Sequence, residues 1–473
     1  MVMGELSQET ELLVIGGGPG GYAAAFRAAD LGLDVTMVDL APKPGGVCLH
    51  RGCIPSKTYL HVAELLHDAK QAQSMGVSFL EPQIDLNALR QWKNQVIDQL
   101  ADGLVSLSNQ RGVQMIRGRA IFEGPNQVRL HEAEISHITF KQAIIATGSR
   151  PMTFPNSHLK KGGRVMTSTA ALELVDIPPT LLIIGGGYVG LELGSVYAAL
   201  GSRVHIVESG PVLLNGVDRD LVNVLLKRLN PLFDAIDLNT RVLELTETQQ
   251  AVRVHLDGPK TLAEKEFDRV LVAIGRKPVT QGLGLKNAGV EVDDQGFIKI
   301  DDGFHTSNPA IYAIGDVVGG LMLAHKATKE GKIVAEIIAG QPSAFDARAI
   351  PAVIYTDPQI AVCGLSEDTA KVQNIPVKIR RFPWYASGRA LTMGLAEGVT
   401  KMIIAPETQR ILGVGITGRG AESLIAEAVI AIEMGALADD LALSIHPHPT
   451  LSETEGEVAE IFLGSATHIY SPK

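Results

Sequence analysis

Two stretches of the chain repeat one order of apolar, glycine-rich and acidic positions. Residues 12–39 read LLVIGGGPGGYAAAFRAADLGLDVTMVD, and residues 181–208 read LLIIGGGYVGLELGSVYAALGSRVHIVE. Each begins with an uninterrupted apolar run, which is typical of a strand buried on both faces, and continues through a glycine cluster into a helical stretch. A second apolar run then ends in an acid. The pattern predicts two strand–turn–helix–strand units in an α/β protein.

The glycines of both copies fit G-x-G-x-x-G, a pattern that binds the pyrophosphate of a dinucleotide. The first glycine permits a tight turn, the second lets the backbone approach the anion, and the third lets the helix pack against the strand. The final acids, Asp39 and Glu208, stand where a carboxylate can accept hydrogen bonds from ribose hydroxyls. Two copies with matching acids therefore predict two dinucleotide sites. The glycines are Gly16, Gly18 and Gly21 in the first copy and Gly185, Gly187 and Gly190 in the second.

Charge distinguishes the two predicted sites. Glu208 would repel the 2′-phosphate of NADP, so the second copy predicts NAD. The first copy leads directly into a cysteine pair, and the obvious cofactor that exchanges electrons with thiols is a flavin, so this copy predicts FAD. Arg203 stands earlier on the same strand as Glu208, where we expect it to face solvent.

Three further apolar strands that end in glycine support a flavoprotein. KQAIIATGSRP (141–151) and DRVLVAIGRKP (268–278) resemble each other, and each is expected to bring backbone close to its own cofactor. IYAIGDVVGG (311–320) places an aspartate where a carboxylate could bind the ribityl chain of the flavin. The positions predicted from these segments are Thr147, Gly148, Ser149 and Asp316 for FAD and Gly275 for NAD.

Composition and charge narrow the classes of function. A chain of 473 residues predicts about two to four domains, and 45% apolar with 20% charged residues is typical of a globular protein. The net charge of −10 and the lack of a basic block argue against nucleic-acid binding, although an acidic surface would suit a basic protein partner. No apolar window reaches about 18 residues, and MVMGELSQETE does not resemble a signal peptide. We expect no membrane span and a cytoplasmic location, with a matured organellar chain as the alternative.

The chain has three cysteines, Cys48, Cys53 and Cys363, too few for the disulfide framework of an exported protein. Two of them stand close together in GGVCLHRGCIPSK (45–57). Such a pair could be two buried small side chains, half of a metal site, or a dithiol that opens and closes during a reaction. Zinc would need two further soft ligands at matching spacing, which this chain does not offer, so we predict no metal.

Segments spread over nearly the whole chain resemble the flavoprotein disulfide reductases, and among them the dihydrolipoamide dehydrogenase family. They are GGGPGGYAAA, GGVCLHRGCIPSK, IIGGGYVGLELGSV, YAIGDV, MLAHKA (322–327), YTDPQIAVCG (355–364) and IHPHPTLSET (445–454). The resemblance implies an α/β fold with two Rossmann-like domains and a C-terminal α+β interface domain for dimerisation. The predicted bounds are 1–150 for the FAD domain, 151–275 for the NAD domain, 276–350 for a central part that returns to the FAD domain, and 351–473 for the interface domain.

The resemblance also answers the question about the cysteine pair. It implies that Cys48 and Cys53 form a redox-active disulfide on the first turn of a helix. Cys48 resembles the thiol that exchanges with substrate, and Cys53 resembles the thiol that faces the flavin. Lys57, one helical turn later, resembles the lysine beside flavin N5, and Glu192 is its expected buried partner.

A histidine dyad near the C-terminus completes the implied site. His448 and Glu453 resemble the pair that the other subunit contributes, in which the imidazole takes a proton from the incoming dithiol and the carboxylate fixes its tautomer. His446 is expected to be structural. The arrangement implies a homodimer, because His448 of one copy would have to reach Cys48 of the other.

Further cofactor contacts follow from the resemblance alone. For FAD they are Ala120, Met322, Leu323, Ala324 and His325, and for NAD they are Glu192 and Val242. Some positions depart from the family pattern. His50 and Arg51 lie between the cysteines, where most members have an asparagine and a small apolar residue. Asp39 replaces the commoner glutamate and Ala120 a glycine, and we expect none of these changes to alter the class.

The implied activity is that of a dihydrolipoyl dehydrogenase, which oxidises protein-bound dihydrolipoamide and reduces NAD⁺ within a 2-oxo-acid dehydrogenase complex or the glycine cleavage system. The implied partners are the lipoyl domain of an acyltransferase (E2) or the H protein, the E2 peripheral subunit-binding domain, and a second copy. Glutathione reductase is disfavoured because it uses NADPH, and a transhydrogenase because it lacks the first cysteine. Mercuric and large thioredoxin reductases need a C-terminal thiol or selenol that the tail IFLGSATHIYSPK lacks. A non-catalytic role in the same complexes is a further alternative.

Overall fold

The computed structural model describes residues 7–155, 162–259 and 261–470. The first six residues of MVMGELSQETE lie outside these ranges, as do the last three residues of the tail IFLGSATHIYSPK. The strands are β1 (Ser7–Ile15), β2 (Val35–Asp39), β3 (Gln114–Arg117), β4 (Arg119–Gly124), β5 (Gln127–His131), β6 (His137–Ile145), β7 (Ser149–Pro151), β8 (Val165–Thr167), β9 (Thr180–Ile184), β10 (Arg203–Val207), β11 (Ala235–Asp237), β12 (Arg241–Glu247), β13 (Val252–Gly258), β14 (Thr261–Phe267), β15 (Arg269–Val272), β16 (Arg276–Pro278), β17 (Ile311–Ala313), β18 (Ala352–Ile354), β19 (Ile360–Gly364), β20 (Lys378–Pro383), β21 (Val399–Ile404) and β22 (Ile411–Thr417). The helices are α1 (Pro19–Asp30), α2 (Gly46–Arg51), α3 (Cys53–Gln71), α4 (Leu86–Gln110), α5 (Ser168–Ala171), α6 (Tyr188–Leu200), α7 (Arg219–Leu232), α8 (Ala324–Ile338), α9 (Glu367–Val372), α10 (Gly388–Thr392), α11 (Ala421–Met434), α12 (Ala438–Leu443) and α13 (Glu453–Leu463).

The first sheet is built around the first glycine-rich unit. β1 pairs in parallel with β2 and β6, and the strand order is β3-β2-β1-β6-β5-β4, with β17 added beside β6. Leu12, Leu13 and Val14 on β1 are fully buried, as the apolar run requires. α1 and α8 pack closely, since a Cβ at Gly331 would lie 2.3 Å from the Gly20 carbonyl oxygen. A strand from late in the chain thus joins the N-terminal sheet.

The second sheet repeats this arrangement around the second glycine-rich unit. β9 lies between β10 and β15, and the parallel order is β11-β10-β9-β15-β8. An antiparallel sheet of β12, β13 and β14 packs beside it. The segments KQAIIATGSRP (141–151) and DRVLVAIGRKP (268–278) meet at their C-terminal ends. There β7 pairs antiparallel with β16, and Arg276 lies opposite Pro151. This two-stranded ribbon connects the two units.

The C-terminal part is an α+β unit. Its antiparallel sheet has the order β18-β19-β22-β21-β20 and packs against α11 and α13.

The fold class that we predicted from the sequence is confirmed, whereas the exact domain boundaries remain predictions. In the described ranges, no helix combines the length and the apolar character that crossing a bilayer needs.

A buried lysine fastens the second nucleotide unit to the C-terminal unit. Lys401 on β21 is 1% exposed. Its Nζ donates to Asp218 and Asp220 at the start of α7 and to Glu367 at the start of α9, at 2.5, 2.8 and 3.0 Å. A buried ammonium needs such partners, so the contact holds the two units in one relative position. These acids lie close enough together for a metal ion, but the ammonium stands among them and we propose no metal there.

Candidate active site

The cysteine pair stands on either side of a break between two helices. α2 ends at Arg51 and α3 begins at Cys53, and Gly52 between them has φ −146° and ψ −104°. The single helical turn that we expected from the sequence is therefore two helices. A Cβ at Gly52 would lie 3.0 Å from the Val47 carbonyl oxygen, so the break has little room for a larger residue. The side chains of Cys48 and Cys53 are both partly buried.

The two thiols differ in their affinity for a proton. The hydrogen bond between them, followed by burial, raises the pKa of Cys48. The hydrogen bond from Cys48 and the positive charge of Lys57 outweigh burial at Cys53 and lower the pKa of that thiol to about 7. Near neutral pH the site therefore favours a Cys53 thiolate that accepts a hydrogen bond from Cys48.

An ion pair stands one helical turn after Cys53. Lys57 lies on the same face of α3 as Cys53, because residues four positions apart are neighbours on a helix. Its Nζ donates to Oε2 of Glu192 on α6 at 2.8 Å. The Glu192 side chain is only 4% exposed, against 31% for Lys57. The structure thus brings together two residues of different units that the resemblance paired.

The histidine dyad lies at the start of α13. Nδ1 of His448 is 2.8 Å from Oε1 of Glu453, and the backbone N–H of Thr450 donates to Oε2 at 2.7 Å. Burial raises the pKa of Glu453, but these two hydrogen bonds outweigh it and keep that pKa below its usual value. His446 instead bonds Glu427 through Nε2 at 2.8 Å, in keeping with a structural role. The acid therefore stays ionised and orients the His448 imidazole.

The glycine turns fit the three roles that a dinucleotide requires. Gly16 and Gly185 have φ +108° and +111°, a conformation that favours glycine. A Cβ at Gly187 would meet no atom within 4 Å, and one at Gly18 would meet its first neighbour at 3.9 Å. The protein itself thus leaves these second positions open, as close approach of a ligand needs. At the third positions, a Cβ at Gly21 or Gly190 would lie 1.8 or 2.4 Å from the carbonyl oxygen of the first glycine, so only glycine fits.

Each turn is closed by the acid of its own unit in the same way. Asp39 accepts hydrogen bonds from the N–H groups of Gly17 and Ala41 at 2.5 and 2.7 Å. Glu208 accepts them from Gly186 and Gly210 at 2.7 and 2.6 Å. Each carboxylate is therefore held beside its glycine turn. Arg203 on β10 is exposed, as we expected.

A series of hydrogen bonds connects Arg276, Ser149 and Asp316. Ser149 Oγ donates to Oδ2 of Asp316 at 2.5 Å, and Nε of Arg276 donates to Ser149 Oγ at 2.7 Å. Arg276 also donates to the Ser149 carbonyl oxygen at 2.9 Å. Sequence reasoning missed Arg276. The residue stands in the segment DRVLVAIGRKP, but only the pairing of β7 with β16 brings it to Ser149.

The other predicted cofactor residues lie along the same two units. Those assigned to FAD lie at the first sheet: Ala120 on β4, Thr147 and Gly148 after β6, and Met322, Leu323, Ala324 and His325 at the start of α8. Of those assigned to NAD, Gly275 follows β15 of the second sheet, and Val242 lies on β12 of the antiparallel sheet that packs beside it. The Ala120 side chain packs into the core, so any contact with FAD would come from its backbone.

Two family models together match most of the chain. The model described as pyridine nucleotide-disulphide oxidoreductase matches residues 10–331, and the dimerisation domain of the same name matches residues 350–459. The chain belongs to the pyridine nucleotide-disulphide oxidoreductase family. Its curated relatives within this family include the dihydrolipoyl dehydrogenase of Vibrio parahaemolyticus, 43% identical over 467 residues and 98% of each chain. The dihydrolipoyl dehydrogenase of Geobacillus stearothermophilus is 42% identical over 470 residues and 99% of each chain.

Solved structures that resemble this chain share its fold. LpdA from Mycobacterium tuberculosis superimposes with a TM-score of 0.88 at 26% identity, over 96% of this chain and 99% of that one. The HOCl-induced flavoprotein disulfide reductase RclA from Escherichia coli gives 0.85 at 28% identity, over 95% and 99%. Family membership confirms the predicted oxidoreductase class, the cofactors FAD and NAD, and the resemblance to dihydrolipoamide dehydrogenases. The match to a dimerisation domain supports the predicted homodimer.

Proposed function

We propose that the chain acts as a dihydrolipoyl dehydrogenase, which oxidises protein-bound dihydrolipoamide and reduces NAD⁺. The observation that carries the proposal is the polarised thiol pair of Cys48 and Cys53, which follows the first glycine-rich unit in the chain. Full-length similarity to dihydrolipoyl dehydrogenases supports a dithiol as its substrate. A purely structural protein would have no need of a thiol pair beside Lys57 and Glu192.

Residues of both units would hold the cofactors. FAD would lie at the first glycine turn, with Asp39 at its ribose and Asp316 at its ribityl chain, and NAD⁺ would lie at the second turn. Held by these residues, FAD and NAD⁺ would supply the acceptors for the electron pair of the two thiols. Glu208 favours NAD over NADP, because a 2′-phosphate would meet a like charge.

The dithiol exchange starts from the disulfide of Cys48 and Cys53. One sulfur of dihydrolipoamide attacks Sγ of Cys48 as a thiolate, the protein disulfide breaks, and Cys53 leaves as a thiolate while a mixed disulfide forms. The second substrate sulfur then displaces Cys48, so that lipoamide leaves oxidised and both protein thiols are reduced. The positive charge of Lys57, which also acts to lower the pKa of Cys53, stabilises the departing Cys53 thiolate. Cys48, whose pKa is raised, takes up one of the two substrate protons.

The other proton goes to a histidine. We place His448 of one copy beside Cys48 of the other, since 72% of the His448 side chain is exposed in the single chain. Because Nδ1 engages Glu453, the imidazole would take the proton at Nε2. The ionised carboxylate stabilises the imidazolium that forms.

The partners follow from the same chemistry. We infer that the lipoyl group arrives on the lipoyl domain of an acyltransferase or on the glycine cleavage H protein. The net charge of −10 would suit a basic peripheral subunit-binding domain. The cytoplasmic location remains a prediction.

One experiment tests the substrate and the thiol pair together. The purified protein is reduced anaerobically with dihydrolipoamide while the visible spectrum and NADH formation are recorded. We expect a broad long-wavelength band from a thiolate next to flavin, and NADH formation. If the same band appears after reduction with NADH but dihydrolipoamide is not turned over, the family assignment stands and the proposed substrate is contradicted. Glutathione with NADP⁺ serves as the control pair.

A further inference from the structure

Tyr355 contacts both members of the Lys57–Glu192 ion pair. Nζ of Lys57 lies 4.3 Å from the centroid of the Tyr355 ring. The backbone N–H of Tyr355 donates to Oε1 of Glu192 at 2.9 Å, while Oε2 accepts from Lys57 at 2.8 Å. One residue therefore binds the carboxylate with its main chain and the ammonium with its ring.

Three parts of the fold meet at this point. Lys57 lies on α3 of the first unit and Glu192 on α6 of the second, whereas Tyr355 directly follows β18 of the C-terminal unit. The turn after Tyr355 is fixed by the Thr356 hydroxyl, which donates to the Pro358 carbonyl oxygen at 2.8 Å. The position of the ring is thus set by the C-terminal unit.

The two charged groups differ in their freedom to move. Glu192 is nearly buried and satisfied on both oxygens, so it stays in place. The Lys57 side chain is partly exposed, and its flexible stem could carry the ammonium into water. The face of an aromatic ring attracts a cation and opposes that movement. On α3 the ammonium is then kept one turn from Cys53.

We propose that Tyr355 is a positioning residue that acts through Lys57 and holds its ammonium beside Cys53. By this contact the C-terminal unit controls the charge next to the reacting thiol. The inference rests on the proposed function in that it takes Cys53 as a reacting group. Tyr355 itself touches no substrate in this scheme.

The test measures the ionisation of Cys53 without any lipoyl substrate. All variants carry Cys48→Ser, so that Cys53 is the reacting thiol of the pair. The rate of alkylation of Cys53 by iodoacetamide is followed from pH 5 to 9 by mass spectrometry of its peptide. Tyr355→Leu removes the ring face but keeps the backbone N–H, and Tyr355→Phe keeps both.

We expect Tyr355→Leu to raise the midpoint of the Cys53 titration by about half a pH unit, the scale of one cation–π contact. Tyr355→Phe should leave the midpoint unchanged. In a Lys57→Met background, Tyr355→Leu should add no further shift, because the group through which it acts is gone. Tyr355→Met replaces Tyr355→Leu if the latter does not fold.

Three results would overturn the proposal. They are an unchanged midpoint in Tyr355→Leu, an equal shift in Tyr355→Phe, and a shift that persists in the Lys57→Met background. The last would show a general structural effect rather than one through Lys57. Failure of dihydrolipoamide turnover would count against the proposed function alone, because thiol alkylation needs neither that substrate nor NAD⁺.

Discussion

The carboxylate of Glu208 accepts a hydrogen bond from the backbone N–H of Gly186 at 2.7 Å, directly beside the second glycine turn. This contact fixes a negative charge where the adenosine ribose of a bound dinucleotide would lie. We predict that Glu208→Gln lowers kcat/KM for NAD⁺ about tenfold, because a charged hydrogen bond to ribose becomes a neutral one. The value for NADP⁺ should stay level or rise. Steady-state rates with saturating dihydrolipoamide measure both.

The matched control for Glu208 is Glu266→Gln on β14, an exposed acid of the same unit. Its removal changes the net charge by the same amount but should leave both kcat/KM values unchanged. Equal losses for NAD⁺ and NADP⁺ in Glu208→Gln would show that the residue only supports the turn. An unchanged NAD⁺ value would contradict our assignment of the second site.

The lowered pKa of Cys53 predicts the pH dependence of the reduced protein. Because the thiolate accumulates above the pKa, the long-wavelength band should grow as pH rises through about 7. Cys53→Ser should lack the band at every pH, whereas Cys48→Ser should retain it. Each substitution should reduce turnover of dihydrolipoamide by about a thousandfold or more, since each removes a bond-forming sulfur. Absorbance titration and steady-state assay measure the two effects.

Cys363 supplies the control for the cysteine pair. It is buried on β19, and burial raises the pKa of its thiol to about 12, so it stays protonated near neutral pH. Cys363→Ala should therefore keep both the band and the turnover. If Cys48→Ser loses the band and Cys53→Ser keeps it, then Cys48 is the thiol that faces the flavin and Cys53 is the one that exchanges with substrate.

The exposed His448 predicts that the site is shared between two copies. Cys48→Ser and His448→Gln homodimers should each be nearly inactive. When the two proteins are unfolded, mixed in equal amounts and refolded together, each hybrid dimer joins one intact Cys48 to one intact His448 from the other copy. About half of the dimers are hybrids with one working site of two, so about one quarter of wild-type activity should return.

The refolding experiment carries its own controls. Each variant refolded alone should remain inactive, and wild-type protein refolded alone sets the yield. Light scattering should show dimers in every sample. Dimeric mixtures without activity would place His448 with Cys48 of its own chain, against our assignment.

Features determined by a contiguous stretch of sequence could be predicted, whereas features that depend on the packing of distant elements could not. The two glycine turns and their acids occupy contiguous stretches, and the structure gives each glycine the expected geometry. Lys401 illustrates the opposite case. It stands in the strand segment VTKMII, where alternation would place a charged residue towards solvent, yet it is almost fully buried among three acids of other elements. No local pattern signals such partners.

The contacts of Arg276 and Tyr355 also depend on long-range packing and could not be predicted from local sequence. Arg276 reaches Ser149 only because β16 pairs with β7, and Tyr355 reaches Lys57 only because the C-terminal unit packs against both nucleotide units. The pairing of Lys57 with Glu192 came from family resemblance rather than from charge pattern. The helix break at Gly52 was missed because a lone glycine in a helical pattern is often tolerated.

A buried acid on α13 predicts how stability changes with pH. Glu455 is fully buried, and neither of its carboxylate oxygens has a hydrogen-bond partner in the part of the chain that the structure describes. Burial, followed by the charge of Glu427, raises the pKa of Glu455 to about 9. In the unfolded chain, Glu455 loses its proton at the ordinary pKa of a glutamate, whereas in the folded protein it keeps that proton up to about pH 9. Between these two values, the free energy of unfolding should fall as pH rises.

We predict that Glu455→Gln, which cannot ionise, removes this dependence. Its stability should match that of the wild type near pH 5. With rising pH the variant should gain up to about 1.4 kcal/mol per pH unit relative to wild type. Urea unfolding from pH 5 to 8 measures the difference, and Glu407→Gln, an exposed acid on the same unit, is the control. Parallel curves for wild type and Glu455→Gln would contradict a raised pKa of Glu455 in the folded protein.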